Sequence, residues 1–173
     1  MTRAQLSPLP AYFDRYINRT DDVDVHTALL IGLDELEHAP LDEWKRIRDR
    51  VYAPGKWTVK DILQHLIDTE RVFSYRATSF ARGEAEVKGY EEDAYARLAE
   101  ASRRTLDDLQ EESVALRRST ILQFRSFTAE MLKRRGQGFK GPYSVHDIGF
   151  ILAGHQRWHF GIMAERYLPL DRE

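Results

Sequence analysis

Residues 57–80 read WTVKDILQHLIDTERVFSYRATSF, and this stretch predicts the first long helix of the fold. Thr58 is a preferred N-cap residue, and Asp61 places a carboxylate near the positive end of a helix. Apolar residues then recur at helical spacing, at Ile62, Leu66, Phe73 and Ala77. The pattern predicts an amphipathic helix that runs to about Phe80 and is closed by Gly83.

A second stretch repeats this pattern near the end of the chain. Residues 143–148 read YSVHDI against WTVKDI at residues 57–62, so an aromatic residue, a cap, a valine, an acid and an isoleucine recur in order. Ser144 is the cap and Asp147 the acid of this stretch, which predicts a last helix running to about Tyr167. The repeat indicates two similar halves, each ending in a long helix.

The rest of the chain shows helical periodicity broken by proline and glycine, and no strand pattern. Two more long helices and three short helical turns are predicted, at residues 22–37, 102–124, 41–46, 91–99 and 128–134. Residues 1–20 are expected to form an extended N-terminal arm, and the glycine-rich residues 136–142 a loop. The fold class is therefore all-α, and the length suits a single domain, 1–173.

The composition narrows the class of protein. Apolar residues make up 42% and charged residues 31%, and 26 basic against 28 acidic residues leave a formal charge of -2. This balance argues against nucleic acid and anionic membranes as partners. Neither a membrane-spanning apolar stretch nor the apolar core of a signal peptide is present, so we expect a cytoplasmic protein. The absence of cysteine excludes disulfides, thiolate metal sites and a cysteine nucleophile.

Three histidines form the candidate functional site. His155 and His159 are four residues apart, so they project from one face of the last helix, and His65 lies on the helix that begins at Thr58. If the two helices face each other, the imidazoles form a cup that suits Zn²⁺ or Ni²⁺ and leaves a coordination position open. The alternative is that they are packing histidines. The surface is the expected place for the other three, His26, His38 and His146.

Two acids on the helix of His65 are candidates for catalysis. Asp68 lies one turn after His65, where it would hold the ring N–H of a ligand histidine or act as a general base, and Glu70 follows two residues later. The alternative for both is a surface acid paired with an arginine such as Arg71. We interpret the arginines of this helix as a solvated face, with anion binding as the alternative; they are Arg71, Arg76 and Arg82.

At these residues the chain resembles the DinB superfamily, most closely its YfiT-like branch. The segments that carry the resemblance span about residues 25–170 and read YAPGKWT (52–58), HLIDTER (65–71), FARG (80–83), GHQRWH (154–159) and ERYL (165–168). The resemblance implies a four-helix bundle with short extra helical turns. It also implies a metal ion bound by one histidine of the second helix and two of the last, here His65, His155 and His159. Members of the family are often dimers, so a homodimer is expected.

Three interpretations of the function remain open. In the first, which is our prediction, a divalent metal ion, Zn or Ni, activates a low-molecular-weight thiol such as bacillithiol or mycothiol for transfer to a small-molecule substrate. Because the chain has no cysteine, the thiol would be a separate cofactor. In the second, the metal activates water for hydrolysis, with Asp68 or Glu70 as general base. In the third, the bundle binds a metal or ligand without catalysis.

Overall fold

The structure is a computed structural model that describes residues 1–172, so Glu173, the last residue of the predicted domain, lies outside the described residues. The helices are α1 (Asp14–Ile17), α2 (Val25–Glu37), α3 (Leu41–Ile47), α4 (Val59–Ala81), α5 (Glu92–Leu98), α6 (Leu106–Arg125), α7 (Ala129–Lys133) and α8 (Val145–Ile162). A π-helical turn, Met163–Tyr167, continues α8, and 3-10 turns occupy Arg3–Gln5, Ala101–Arg103 and Leu168–Arg172. Within this range, no helix combines the length and the hydropathy needed to cross a membrane.

The four long helices form the bundle that the family resemblance implied. α2 packs against α6 and α8, and α4 packs against the same two helices, so the order around the bundle is α2–α6–α4–α8. The apolar core consists of two clusters. One contains the end of α4 and the start of α8, and the other contains the start of α4 and two residues beyond α8, Met163 and Tyr167. α4 and α8 therefore run antiparallel.

The caps predicted from the repeated stretches are present in both helices. The Asp61 N–H donates to Thr58 Oγ1 at 3.2 Å, and the Thr58 N–H donates to the Asp61 carboxylate at 2.9 Å. In the same way, the Asp147 N–H donates to Ser144 Oγ at 3.0 Å, and the Ser144 N–H donates to the Asp147 carboxylate at 2.7 Å. Each pair satisfies N–H groups that the first helical turn leaves without intrahelical partners. α4 ends as predicted, because Gly83 adopts a left-handed conformation with φ 97°.

A short hairpin replaces part of the predicted loop, so the expectation of no strands was wrong at this point. β1 (Arg135–Gly138) and β2 (Gly141–Ser144) pair antiparallel between α7 and α8. Each strand has only four residues, and three of the eight residues are glycines. The strands therefore show no alternation of apolar and polar residues. Two helices also begin later than predicted, directly after the caps Asp24 and Thr105.

The N-terminal arm, residues 1–20, packs on the bundle and is not extended throughout. Its helix α1 lies against α8, and the side chains of Phe13 and Ile17 are buried in the core. The closest approach is at Gly154 of α8, where a Cβ atom would lie 1.9 Å from the carbonyl oxygen of Tyr16. The contact between the two backbones therefore requires glycine at this position.

Candidate metal centre

α4 and α8 bring the three predicted histidines together. His65 lies seven residues after the cap of α4, and His155 and His159 lie seven and three residues before the end of α8. Because the two helices are antiparallel, these positions meet at one level of the bundle. The Nε2 atoms of His65 and His159 each lie 3.1 Å from Nε2 of His155, and one nitrogen from each residue falls within 4.8 Å of the other two.

Hydrogen bonds among the imidazoles do not account for this arrangement. A ring nitrogen of a neutral imidazole either donates one hydrogen or accepts through one lone pair. Nε2 of His155 faces two other Nε2 atoms at 3.1 Å, so one of the two contacts has no hydrogen bond. A cation bound by three lone pairs resolves this conflict, and two nitrogens on a tetrahedral zinc ion are about 3.3 Å apart. The donor set therefore fits a divalent metal ion.

The surroundings keep the three imidazoles neutral. His65 is 3% and His155 6% exposed. Burial lowers the pKa of His65 from 6.5 to about 4, and burial together with the charge of His65 lowers the pKa of His159 to about 3. Burial, followed by the charges of His159 and His65, holds the pKa of His155 well below its ordinary value. Metals bind the neutral form of imidazole, so the three side chains are in their metal-binding state at neutral pH.

Among the described residues, two cavities with room for a small molecule border the histidines. The first, which we call the aromatic cavity, has a volume of about 140 Å³ and includes His155 in its wall. Its aromatic residues come from the N-terminal arm, α4 and two loops, and are Tyr12, Phe13, Tyr16, Phe73, Tyr90 and Phe139. The second is an open cleft of about 230 Å³ that borders His159 and Trp57. A small molecule therefore has space beside the histidines from two sides.

The two predicted catalytic acids lie on α4 and have other partners. Asp68 accepts a hydrogen bond from Gln64 Nε2 at 3.0 Å, and burial raises the pKa of its carboxyl group. Glu70 is buried and accepts two hydrogen bonds of 2.9 Å from Arg117 of α6. Neither acid is hydrogen-bonded to the three histidines in the part of the chain that the structure describes. Their catalytic roles stay predictions, and the pairing of Glu70 is typical of a structural ion pair.

Two residues expected at the surface are buried. Arg76, which we interpreted as part of a solvated face, is 1% exposed and lines the aromatic cavity. The burial of Arg76 could have been predicted from the sequence. Arg76 lies three residues after Phe73 and four before Phe80, so it falls on the apolar stripe of α4. His146 is 5% exposed, and the centre of its ring lies 5.6 Å from the centre of the Phe150 ring. Burial lowers the pKa of His146.

Known proteins match this chain in sequence pattern and in fold. The sequence model of the DinB superfamily matches residues 13–163. Among solved structures, YfiT from Bacillus subtilis matches with a TM-score of 0.66 and 18% identity, over 92% of this chain and 86% of that chain. YfiT is described as a probable metal-dependent hydrolase with an unusual four-helix bundle topology. At this identity the likeness shows the fold alone, and no curated protein matches the chain.

Proposed function

This chain belongs to the DinB superfamily, and we propose that it is a divalent-metal-dependent enzyme whose metal is held by His65, His155 and His159. The observation that carries the proposal is the convergence of three neutral imidazole nitrogens beside two cavities. Catalytic zinc sites have three protein ligands and an open position, whereas structural sites have four protein ligands. Among residues 1–172, no further histidine or acid joins this group, which supports a site open to a small molecule.

We infer that the activated nucleophile is a low-molecular-weight thiol. A bound divalent cation would supply a Lewis acid that lowers the pKa of a thiol or of water. The pKa of a free thiol lies much closer to neutral pH than that of water, so water needs a much larger lowering of its pKa or a general base. The candidate bases Asp68 and Glu70 are engaged by Gln64 and Arg117. These contacts favour the thiol over water.

The thiol would be a separate small molecule, because the chain contains no cysteine. The two cavities would allow the thiol and its electrophilic substrate to approach the histidines from different sides, one beside His155 and the other beside His159. Hydrolysis is the second candidate function, and the description of YfiT as a probable metal-dependent hydrolase supports it.

Assays of the metal-loaded protein on a panel of small electrophiles, with and without added thiol, test this proposal. We expect turnover that requires both metal and thiol and that is lost in the His155→Ala/His159→Ala variant. The matched control is His38→Ala, since His38 is an exposed histidine on α2's C-terminal side and should not affect turnover. Turnover without thiol contradicts the thiol reaction and supports hydrolysis. Metal-loaded protein that turns over no substrate in either condition contradicts an enzymatic role.

A further inference from the structure

The aromatic cavity contains a buried arginine, Arg76, that makes no ion pair within the described residues. Arg76 is 1% exposed, and no carboxylate of the described residues lies within 4.0 Å of its guanidinium group. Its Nη1 donates to the hydroxyl of Tyr143 at 3.2 Å and its Nη2 to the carbonyl of Lys88 at 3.1 Å, both of which are neutral acceptors. Its buried Nε has no hydrogen-bond partner.

The other buried arginine of the bundle shows how such a charge is normally accommodated. Arg117, 2% exposed, donates two hydrogen bonds to the carboxylate of Glu70. A buried charge without a counter-charge is strongly destabilising, because water no longer solvates it. The ring of Phe73, 4.7 Å from the Arg76 guanidinium carbon, compensates only in part. An anion that enters the cavity would supply the missing partner.

The cavity's size and walls restrict that anion. A volume of about 140 Å³ is close to that of a protein cavity known to hold benzene, about 150 Å³. Six aromatic side chains line it, which favours a flat apolar body. Three acids also line it, Glu91, Glu92 and Asp93, and their charges would oppose a doubly charged anion such as phosphate. A single negative charge therefore fits better than a double one.

We propose that the aromatic cavity binds a small aromatic carboxylate, whose carboxylate group pairs with Arg76 and whose ring lies between Arg76 and His155. Both residues line the same cavity, so such a ligand would lie next to the proposed metal centre. Identifying this ligand as the substrate rests on the proposed function. The carboxylate site itself does not, because Arg76 belongs to α4 and requires no metal.

Calorimetric titration tests the carboxylate site, with benzoate and phenylacetate as probes. Benzamide is the control without a charge, and inorganic phosphate is the control with more than one negative charge. We expect the carboxylates to bind at least about tenfold more tightly than benzamide or phosphate, since each tenfold is about 1.4 kcal/mol. The Arg76→Met variant should lose this preference. Arg82→Met, which removes an exposed arginine near the end of the same helix, should keep it.

A second measurement separates ligand binding from a structural role of Arg76. If the charge of Arg76 has no partner in the free protein, the Arg76→Met variant should melt at the same temperature as the parent protein or at a higher one. Benzoate should raise the melting temperature of the parent protein but not that of the variant. If Arg76→Met does not fold, Arg76→Lys replaces it and should weaken benzoate binding, because lysine lacks the planar fork that pairs with carboxylates. Three results would overturn the proposal. They are a parent protein that binds benzamide as tightly as benzoate, a parent protein that binds phosphate as tightly as benzoate, and a variant that binds benzoate as tightly as the parent does.

The titrations are made on the protein as purified and again after chelation, with metal content measured in both samples. Metal-loaded protein that does not prefer benzoate contradicts the carboxylate site and leaves the metal centre intact. Protein that binds no metal but prefers benzoate through Arg76 contradicts the metal centre and supports the carboxylate site. The two proposals therefore fail independently.

Discussion

At the scale of single residues, the three imidazoles, two buried and one partly buried, make the metal-free protein sensitive to mild acid. The unfolded chain takes up protons on these side chains near pH 6.5, whereas folding lowers the pKa of His65 to about 4 and that of His159 to about 3. Between these values the unfolded state holds more protons, so the free energy of unfolding falls as the pH falls. The slope is up to about 1.4 kcal/mol per pH unit for each group.

Urea unfolding of the metal-free protein between about pH 7 and about pH 4.5 measures this dependence. The His65→Gln variant carries one fewer of the shifted groups, so its free energy of unfolding should change less over the same window. A parent protein that is equally stable at both ends of the window contradicts the neutral, buried state of the histidines.

The ion pair between Glu70 and Arg117 gives a second prediction at this scale. Arg117→Met leaves the Glu70 carboxylate buried without its partner, so we expect a loss of about 3–5 kcal/mol in the free energy of unfolding. The Glu70→Leu/Arg117→Met variant removes both charges and should recover most of that loss. Urea denaturation measures both variants.

The same pair of variants tests the catalytic role predicted for Glu70. If the ion pair is structural, the double variant remains active whenever it is folded. A folded double variant without activity would support Glu70 as a general base, and a single variant as stable as the parent would contradict a stabilising buried pair.

At the scale of the elements, the features that could be predicted are those that depend on local chemistry. The cap residues Thr58 and Ser144, each followed three positions later by an aspartate, predicted where α4 and α8 begin. Gly83 predicted the end of α4, because glycine adopts the left-handed conformation at little cost. The β1–β2 hairpin was missed, since its short glycine-rich strands carry no apolar alternation.

The contact of α1 with α8 gives a prediction at this scale. Gly154→Ala places a Cβ atom 1.9 Å from the Tyr16 carbonyl oxygen, and a backbone atom cannot rotate away as a side chain does. We expect the variant to lose about 1–3 kcal/mol in the free energy of unfolding, with α1 displaced from α8. Thermal unfolding and proteolysis of the N-terminal arm measure the two effects.

The matched control for this variant is Gly161→Ala on the same helix. The nearest heavy atom to a Cβ at Gly161 is 3.8 Å away, so alanine fits there without a clash. Because alanine favours helix over glycine by about 1 kcal/mol, this variant should be as stable as the parent or more stable. If Gly154→Ala behaves like Gly161→Ala, the backbone contact between α1 and α8 is not present.

At the scale of the whole molecule, the candidate site depends on relations that one sequence does not contain. The spacing of His155 and His159 is local and was predictable, but the depth at which His65 meets them follows from the antiparallel order of α4 and α8. The burial of Arg76 depends on residues far apart in the chain, such as Lys88 and Tyr143. The sequence therefore pointed to the three candidate ligands, and only the fold shows that they lie together beside a cavity.

Metal binding should stabilise the whole bundle, because the three ligands come from two helices that unfolding separates. At a free metal concentration of one hundred times the dissociation constant, the free energy of unfolding should rise by about 2.7 kcal/mol. Thermal unfolding with and without Zn²⁺ or Ni²⁺ measures this effect. The same rise in the His155→Ala/His159→Ala variant would show that the ion binds elsewhere.

The homodimer, the cytoplasmic location and the small-molecule substrate remain proposals at this scale. Light scattering of the purified chain tests the first, with a mass of twice 20.2 kDa expected and a mass of 20.2 kDa contradicting it.

The central claim is that His65, His155 and His159 hold a metal ion, and elemental analysis tests it most directly. The protein is purified without a metal-affinity tag, beside the His155→Ala/His159→Ala variant and the His38→Ala control. We predict about one divalent ion per chain in the parent and the control, and none in the double variant. A parent protein that contains no metal, and takes up none from Zn²⁺ or Ni²⁺ solutions, would contradict the claim.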